Sequence, residues 1–261
     1  MKKLCILLVI FVLAANIFAQ KEQVTKDKEK PLPAETKTAE TKTSETKSVE
    51  IKTAQPIDLA KAAFAAHGGD KFKAMKTLVV KGSADVSASP TQSFPSSFVM
   101  VFSGDKYRFE LTNPFQPFKQ IYDGQQTVSS VPNFILPPIN RLGLPLLQKM
   151  DEKGYAVVAL PENNKKKNGF RITSPEGYYT DFFTDEKTGQ IKSYESSYDF
   201  NGRNVTTSVE IDKIREVDGV KIPEKYAQRF ELGFATFYVD FKAKDILVNS
   251  EVADDVFSIT K

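Results

Sequence analysis

Few residues in this chain can do chemistry. His67 is the single histidine and Cys5 the single cysteine. A histidine-based triad and a metal site of nitrogen and thiolate ligands both need more than that. His67 opens "HGGDKFKAMKTLVVKG", residues 67–82, where a helix meets a double glycine and then a run of β-branched residues. A polar or cationic side chain at a helix C-terminus bonds the last carbonyls and suits the helix dipole. His67 is therefore expected as a cap at the surface, and His67→Ala to cost about 1 kcal/mol at most. Asp181, Asp185 and Glu186 come closest to a carboxylate pair. They flank a hairpin turn, where acids are common for conformational reasons. "KKK" at 165–167 lies in "ENNKKKNG" and reads as a solubilising turn. The expectation is a protein without catalytic machinery, cofactor or metal.

The N-terminal part explains where such a protein works. Lys2 and Lys3 precede an apolar run over residues 4–13, and "ANIFAQ" follows with the small residues a signal peptidase reads. This predicts a signal peptide over residues 1–19, cut after Ala19. The run is shorter than the roughly 20 residues a spanning helix needs. Cys5 lies at the start of the run and not at the cut, so the mature chain is expected to carry no lipid and no cysteine. Residues 34–53, "AETKTAETKTSETKSVEIKT", repeat a five-residue unit that matches neither helix nor strand. With so few apolar residues, residues 20–55 are expected as a disordered tether. The charge excess belongs to these segments, because residues 56–261 carry 26 basic and 26 acidic side chains. A neutral domain offers no general field for nucleic acid.

Residues 56–261 are long enough for one domain with its own core. Asp58 is a candidate N-cap, and Leu59, Ala62, Ala63 and Ala66 fall on one helical stripe that Gly68 and Gly69 end. From "TLVVKGSADVSA" onward the chain reads as strands. Hairpins are expected at Gly104-Asp105, Asp123-Gly124, the lysine loop, Lys187-Thr188-Gly189 and Asp218-Gly219. With no crossover helices between them, the strands form an antiparallel meander. Alternation puts Tyr107, Phe109 and Leu111 on one face, and likewise Tyr194 with Tyr198, Val205 with Val209 and Ile211, and Phe237 with Val239 and Phe241. Twenty-seven Phe and Tyr in this domain, with no Trp, are more ring surface than one helix covers. That leaves a plain core or a ligand-lined concavity. The irregular segment "NFILPPINRLGLPLLQKM", residues 133–150, carries Ile139, Leu142, Leu144, Leu146, Leu147 and Met150, with Gly143 and Pro145 breaking it in the middle. It reads as a hinged lid or as a static plug.

In order along the chain stand a helix, "KTLVVKG", "GDKYRFELTNPF", "QIYDGQQTV", the apolar insert, "VDGVKIPEKY" and "DDVFSI". This order resembles the LolA-like family of periplasmic lipoprotein carriers, also described as outer-membrane lipoprotein-sorting proteins. The most telling residues are Asp123-Gly124-Gln125, the stretch at 217–223 and Val256-Phe257. The resemblance covers residues 56–261 and implies a mainly β (α+β) fold: an antiparallel unclosed β-barrel, or half-barrel, wrapped around an N-terminal helix and a helical lid. It implies a soluble monomer in the periplasm whose concave face carries acyl chains of lipoproteins or free lipid. That face would comprise Tyr107, Phe109, Leu111, Ile121, Tyr194, Tyr198, Val209, Phe237, Val239 and Phe241, and the lid Ile139, Leu142, Leu144, Leu146 and Leu147. The family places an arginine before the second or third strand to hold the lid; this chain has Phe102-Ser103-Gly104 there, and Arg108 has the wrong parity. Burying an acyl chain stabilises by about 0.8 kcal/mol per CH₂. A lid that fills the empty cavity makes net affinity the difference between two burials. The alternative is a non-catalytic structural or interaction module of the envelope.

Overall fold

The computed structural model describes residues 55–89, 92–113, 117–132, 134–164, 168–200, 203–231 and 235–259. The chain divides into two units, Met1–Glu50 and Ile51–Lys261. The fold is that of the second. The expected signal peptide, nearly all of the expected tether and the lysine turn lie outside the described residues. Among the described residues no helix is long and apolar enough to cross a membrane.

Five strands run outward from the middle of the sheet: β1 (Thr77–Ser89), β2 (Gln92–Ser103), β3 (Lys106–Thr112), β4 (Phe118–Tyr122) and β5 (Thr127–Ser129). Seven run back from the far side: β6 (Ala156–Val158), β7 (Gly169–Thr173), β8 (Tyr179–Thr184), β9 (Ile191–Phe200), β10 (Arg203–Val217), β11 (Val220–Glu231) and β12 (Thr236–Val248). The order is β5-β4-β3-β2-β1-β12-β11-β10-β9-β8-β7-β6, one open antiparallel sheet of twelve strands. It is an unclosed half-barrel, with β5 and β6 at its edges. The first and last strands meet at its centre, where Leu78 faces Val248 and Val86 faces Val239.

Local chemistry accounts for the hairpins. Asp218 (φ 53°) and Gly219 (φ 79°) form a two-residue link between Val217 and Val220, the positive-φ pair that matches strand twist. The expected alternation holds at Phe109, Val205, Val239 and Phe241, which share the concave core with Phe98, while Val79, Val101, Phe257 and, against expectation, Ile121 form a second cluster on the other face.

The first helix, α1 (Pro56–Ala66), differs from expectation in two ways. Gln55 and not Asp58 holds the N-cap position, because Pro56 begins the helix; Asp58 sits in the first turn. Its buried residues are Ala60 and Ala63 and, just beyond its end, His67. The face is rotated by about one residue from the expected stripe. Alanines flank both choices, so apolar pattern alone could not separate them. α1 packs against β6 and β7, and a short second helix, α2 (Asp70–Lys73), follows it.

His67 is at the helix end as expected, but it is wholly buried, with 0 % exposure. The Ile191 backbone N–H donates to Nε2 at 3.3 Å, so Nε2 must be unprotonated, and Nδ1–H donates to the Lys221 carbonyl at 2.9 Å. Lys221 N–H donates in turn to the His67 carbonyl at 3.0 Å. The ring thus ties α1 to β9 and β11. Gly68 (φ 123°) lets the chain pass against the Gly219 carbonyl, which a Cβ would overlap. Burial holds the imidazole below its usual 6.5, and the Lys221 hydrogen bond only partly offsets this. The folded state therefore resists protonation more than the unfolded chain does. Stability from the neutral ring is fully present above about pH 6.5 and is lost as pH falls through the folded value. Melting between pH 7.5 and 5 is expected to drop in the parent and to flatten in His67→Gln; parallel curves would contradict the assignment. His67→Ala, which leaves two buried backbone groups unpaired, is now expected to cost about 2–4 kcal/mol.

Candidate functional site

The connection from β5 to β6 spans residues 130–155 and joins the two edges of the open sheet across its concave side. It contains a 3₁₀ turn at Ile139–Arg141 and helix α3 (Leu144–Gln148). Gly143 (φ 63°) precedes α3, and Pro145 lies at its N-terminal end. Pro145 therefore starts a helix and does not break one, since its missing N–H has no partner to lose there. Leu142, Leu146 and Leu147 are buried in the main core, with Ile139, Leu144 and Met150 packed against it.

Between this insert, α2 and the sheet lies a cavity of about 570 Å³, within the range of ligand pockets. Ile139, Leu142 and Leu144 form its roof, and Val80, Met100 and Ile222 part of its floor. Of the ten residues expected on the lipid-binding face, Tyr194 and Val209 line the cavity. Phe109, Tyr198, Val239 and Phe241 are buried in the surrounding core, and Leu111 and Phe237 pack against it. Tyr107 is buried beside Gln120. Ile121 departs from the expectation. It pairs with Arg108 and packs with Val79, Val101 and Phe257 on the opposite face. In "FKQIY" Phe118 and polar Gln120 take the concave positions, so Ile121 alone gave the wrong parity.

Gln120 is the main catch of the insert. Its Oε1 accepts from Leu136 N–H at 2.7 Å, and its Nε2 donates to the Leu136 carbonyl at 3.1 Å and to Tyr107 Oη at 2.6 Å. Gly143 N–H donates to Thr180 Oγ1 at 3.0 Å, which is bonded to Ser196 Oγ at 2.7 Å. Gln148 Nε2 donates to the Phe72 and Met75 carbonyls at 2.8 and 2.9 Å, anchoring α3 to the end of α2. Arg141, on the insert itself, donates to Tyr122 Oη at 3.3 Å and lies 3.9 Å from Asp105 and 3.7 Å from Glu176. Arg108 points away, donating to the Val256 carbonyl at 2.9 Å on the other face. Arg108 thus has the parity expected of it, and the arginine at the insert, Arg141, is carried by the insert itself. None of these catches was legible as such. Gln120, Thr180 and Ser196 are polar residues at core-facing positions, and that oddity was the available signal.

Gln120→Leu removes both partners of the Leu136 main chain, at about 1 kcal/mol net for each hydrogen bond. Hydrogen exchange at residues 134–150 is expected to quicken by tenfold or more, with β10–β12 unchanged. A uniform change over the domain would mean that Gln120 serves the core and not the insert.

The carboxylates do not converge. Asp181 is paired with Arg171, Nε to Oδ1 2.5 Å and Nη2 to Oδ2 2.9 Å, and that guanidinium stacks over Tyr179 at 3.9 Å. Asp185 accepts from Lys187 N, Thr188 N and Thr188 Oγ1 within its own turn. Lys192 and these donors hold its carboxyl well below the usual range. Glu186 is exposed.

Fold and site together define a class: an open antiparallel half-barrel whose two edges are joined by an insert that roofs an apolar cavity. No family model matches the sequence, and no curated protein does. Among solved structures, the chain is similar to a LolA superfamily protein from Nitrosomonas europaea, at 10% identity over 79% of this chain and 98% of that one, TM-score 0.46. It is also similar to a DUF1329 family protein from Desulfovibrio piger, at 11% identity over 78% and 98%, TM-score 0.44. A putative outer membrane lipoprotein-sorting protein domain from Vibrio parahaemolyticus matches at 9% identity over 77% and 95%, TM-score 0.43.

Proposed function

We propose that the protein is a monomeric periplasmic carrier that takes up acyl chains of lipoproteins or lipids in this cavity and moves them toward the outer membrane. It is secreted by the signal peptide at residues 1–19, and the carrier domain of residues 56–261 follows the tether of residues 20–55. The observation that carries this reading is the insert: an apolar segment seated in the concave face, bridging both edges of an unclosed sheet, over a cavity of about 570 Å³. Such a segment can trade places with an acyl chain, because the chain replaces the apolar contacts that the leucines give up. The affinity is then moderate, as a carrier requires. No chemistry is invoked, and no cofactor, metal or nucleic acid takes part.

Native mass spectrometry of protein purified from its own envelope tests the reading. Acyl-bearing adducts that solvent extraction removes are expected, together with saturable binding of a fluorescent fatty acid by the stripped protein. A static envelope module would give neither, and that result would overturn the proposal.

A further inference from the structure

One wall of the cavity is not apolar. Tyr194, Thr207, Tyr226 and Gln228 line it from three neighbouring strands. Tyr194, Val209 and Gln228 stand in one cross-strand row, with Thr207 and Tyr226 one core-facing position away. Gln228 Nε2 donates to Thr207 Oγ1 at 2.9 Å. The Tyr194 and Tyr226 hydroxyls have no hydrogen-bond partner among the described residues. Both tyrosines sit on the core face, stay partly accessible and line the cavity, and Tyr194 also borders an open pocket with Asp185 and Lys192. Tyr226 is held flat on Phe241, ring centroids 4.7 Å apart, so its hydroxyl is aimed by the packing. Burial raises both phenols well above their usual value, so they are donors at any working pH.

A cavity meant only for hydrocarbon gains nothing from such groups, since a buried hydroxyl without a partner is unfavourable. The charged residues of the lining, Lys73, Lys76, Lys149 and Glu152, belong to the α2 region and the insert, not to this wall. What the wall offers is two free O–H donors and the second N–H of Gln228, with no charge. That set suits an uncharged acceptor placed among alkyl chains. We infer that Tyr194, Tyr226 and Gln228 form a subsite for the carbonyl groups of acyl linkages, so that the cargo is an ester- or amide-linked lipid that enters to the depth of its linkages. This rests on the carrier reading and specifies its cargo.

The test compares two lipids of equal chain length, dipalmitoylglycerol and its dihexadecyl ether analogue, which lacks the carbonyls. Each displaces a fluorescent fatty acid from the stripped full-length protein. The diester is expected to displace at about tenfold lower concentration, as two modest hydrogen bonds allow. In a Tyr194→Phe, Tyr226→Phe double variant, which keeps both rings, that ratio is expected to fall to about one while the ether's own value stays put. Equal displacement by the two lipids in the parent, or a ratio that survives in the variant, overturns the subsite and leaves the carrier reading standing. If the parent binds neither lipid nor the fatty acid, both fall.

Discussion

Leu146→Asp and Leu147→Asp are each expected to leave the domain folded and to bind a fluorescent fatty acid at least as tightly as the parent, while slowing its transfer to acceptor membranes. Both leucines are essentially inaccessible, at 1% and 0%, in a helix that packs against α1 and β7. A buried charge without a partner costs about 3–5 kcal/mol. That is the scale of the catches at Gln120, Thr180 and Gln148 taken together, at about 1 kcal/mol each. The insert therefore leaves the cavity, hinged at its two connecting segments, and carries the charge into water. Lipid then enters without competing against leucine side chains, but the returning insert no longer helps to expel it. An insert that is ordinary core has no such escape. The same substitutions would then abolish cooperative melting at room temperature, and the carrier reading would end there.

The second large effect concerns the seam between the first and last strands. Gly82→Val is expected to destabilise the domain by about 3 kcal/mol, or to prevent folding, because a Cβ at residue 82 would overlap the Lys242 carbonyl oxygen across the β1–β12 ladder. The register shifts at this point: Lys81 faces Asp245 and Gly82 faces Ala243, so β12 has one residue more than β1 there. A flexible side-chain neighbour could move aside, but this neighbour is main chain in the middle of the sheet. Urea unfolding of the variant measures the effect. A change under about 0.5 kcal/mol would mean that the seam does not depend on the close approach.

The hairpins were legible because each is a local event. A Gly- or Asp-bearing link and a period of two are decided within some ten residues, and Asp218-Gly219 needs nothing distant to turn as it does. The concave face followed from the same alternation wherever it was unbroken, as at Phe109, Val205 and Phe241. It failed at Ile121, where "FKQIY" places a polar residue inside and an apolar one outside, each satisfied by a partner far along the chain: Leu136 for Gln120, Phe257 for Ile121. The helix face was ambiguous for a different reason, since alanine fits a buried and an exposed position almost equally. His67 shows the limit most clearly. Its place at a helix end follows from Gly68 and Gly69 beside it, but its burial depends on Ile191 and Lys221, more than a hundred residues away. The sequence by itself determined the strands, their turns and the presence of an apolar insert, because these rest on backbone preference and side-chain period. Only the tertiary structure decided that β1 closes on β12, that the insert spans edge to edge, and that Tyr194 and Tyr226 face a cavity. Those depend on which distant surfaces meet, and no local preference encodes that.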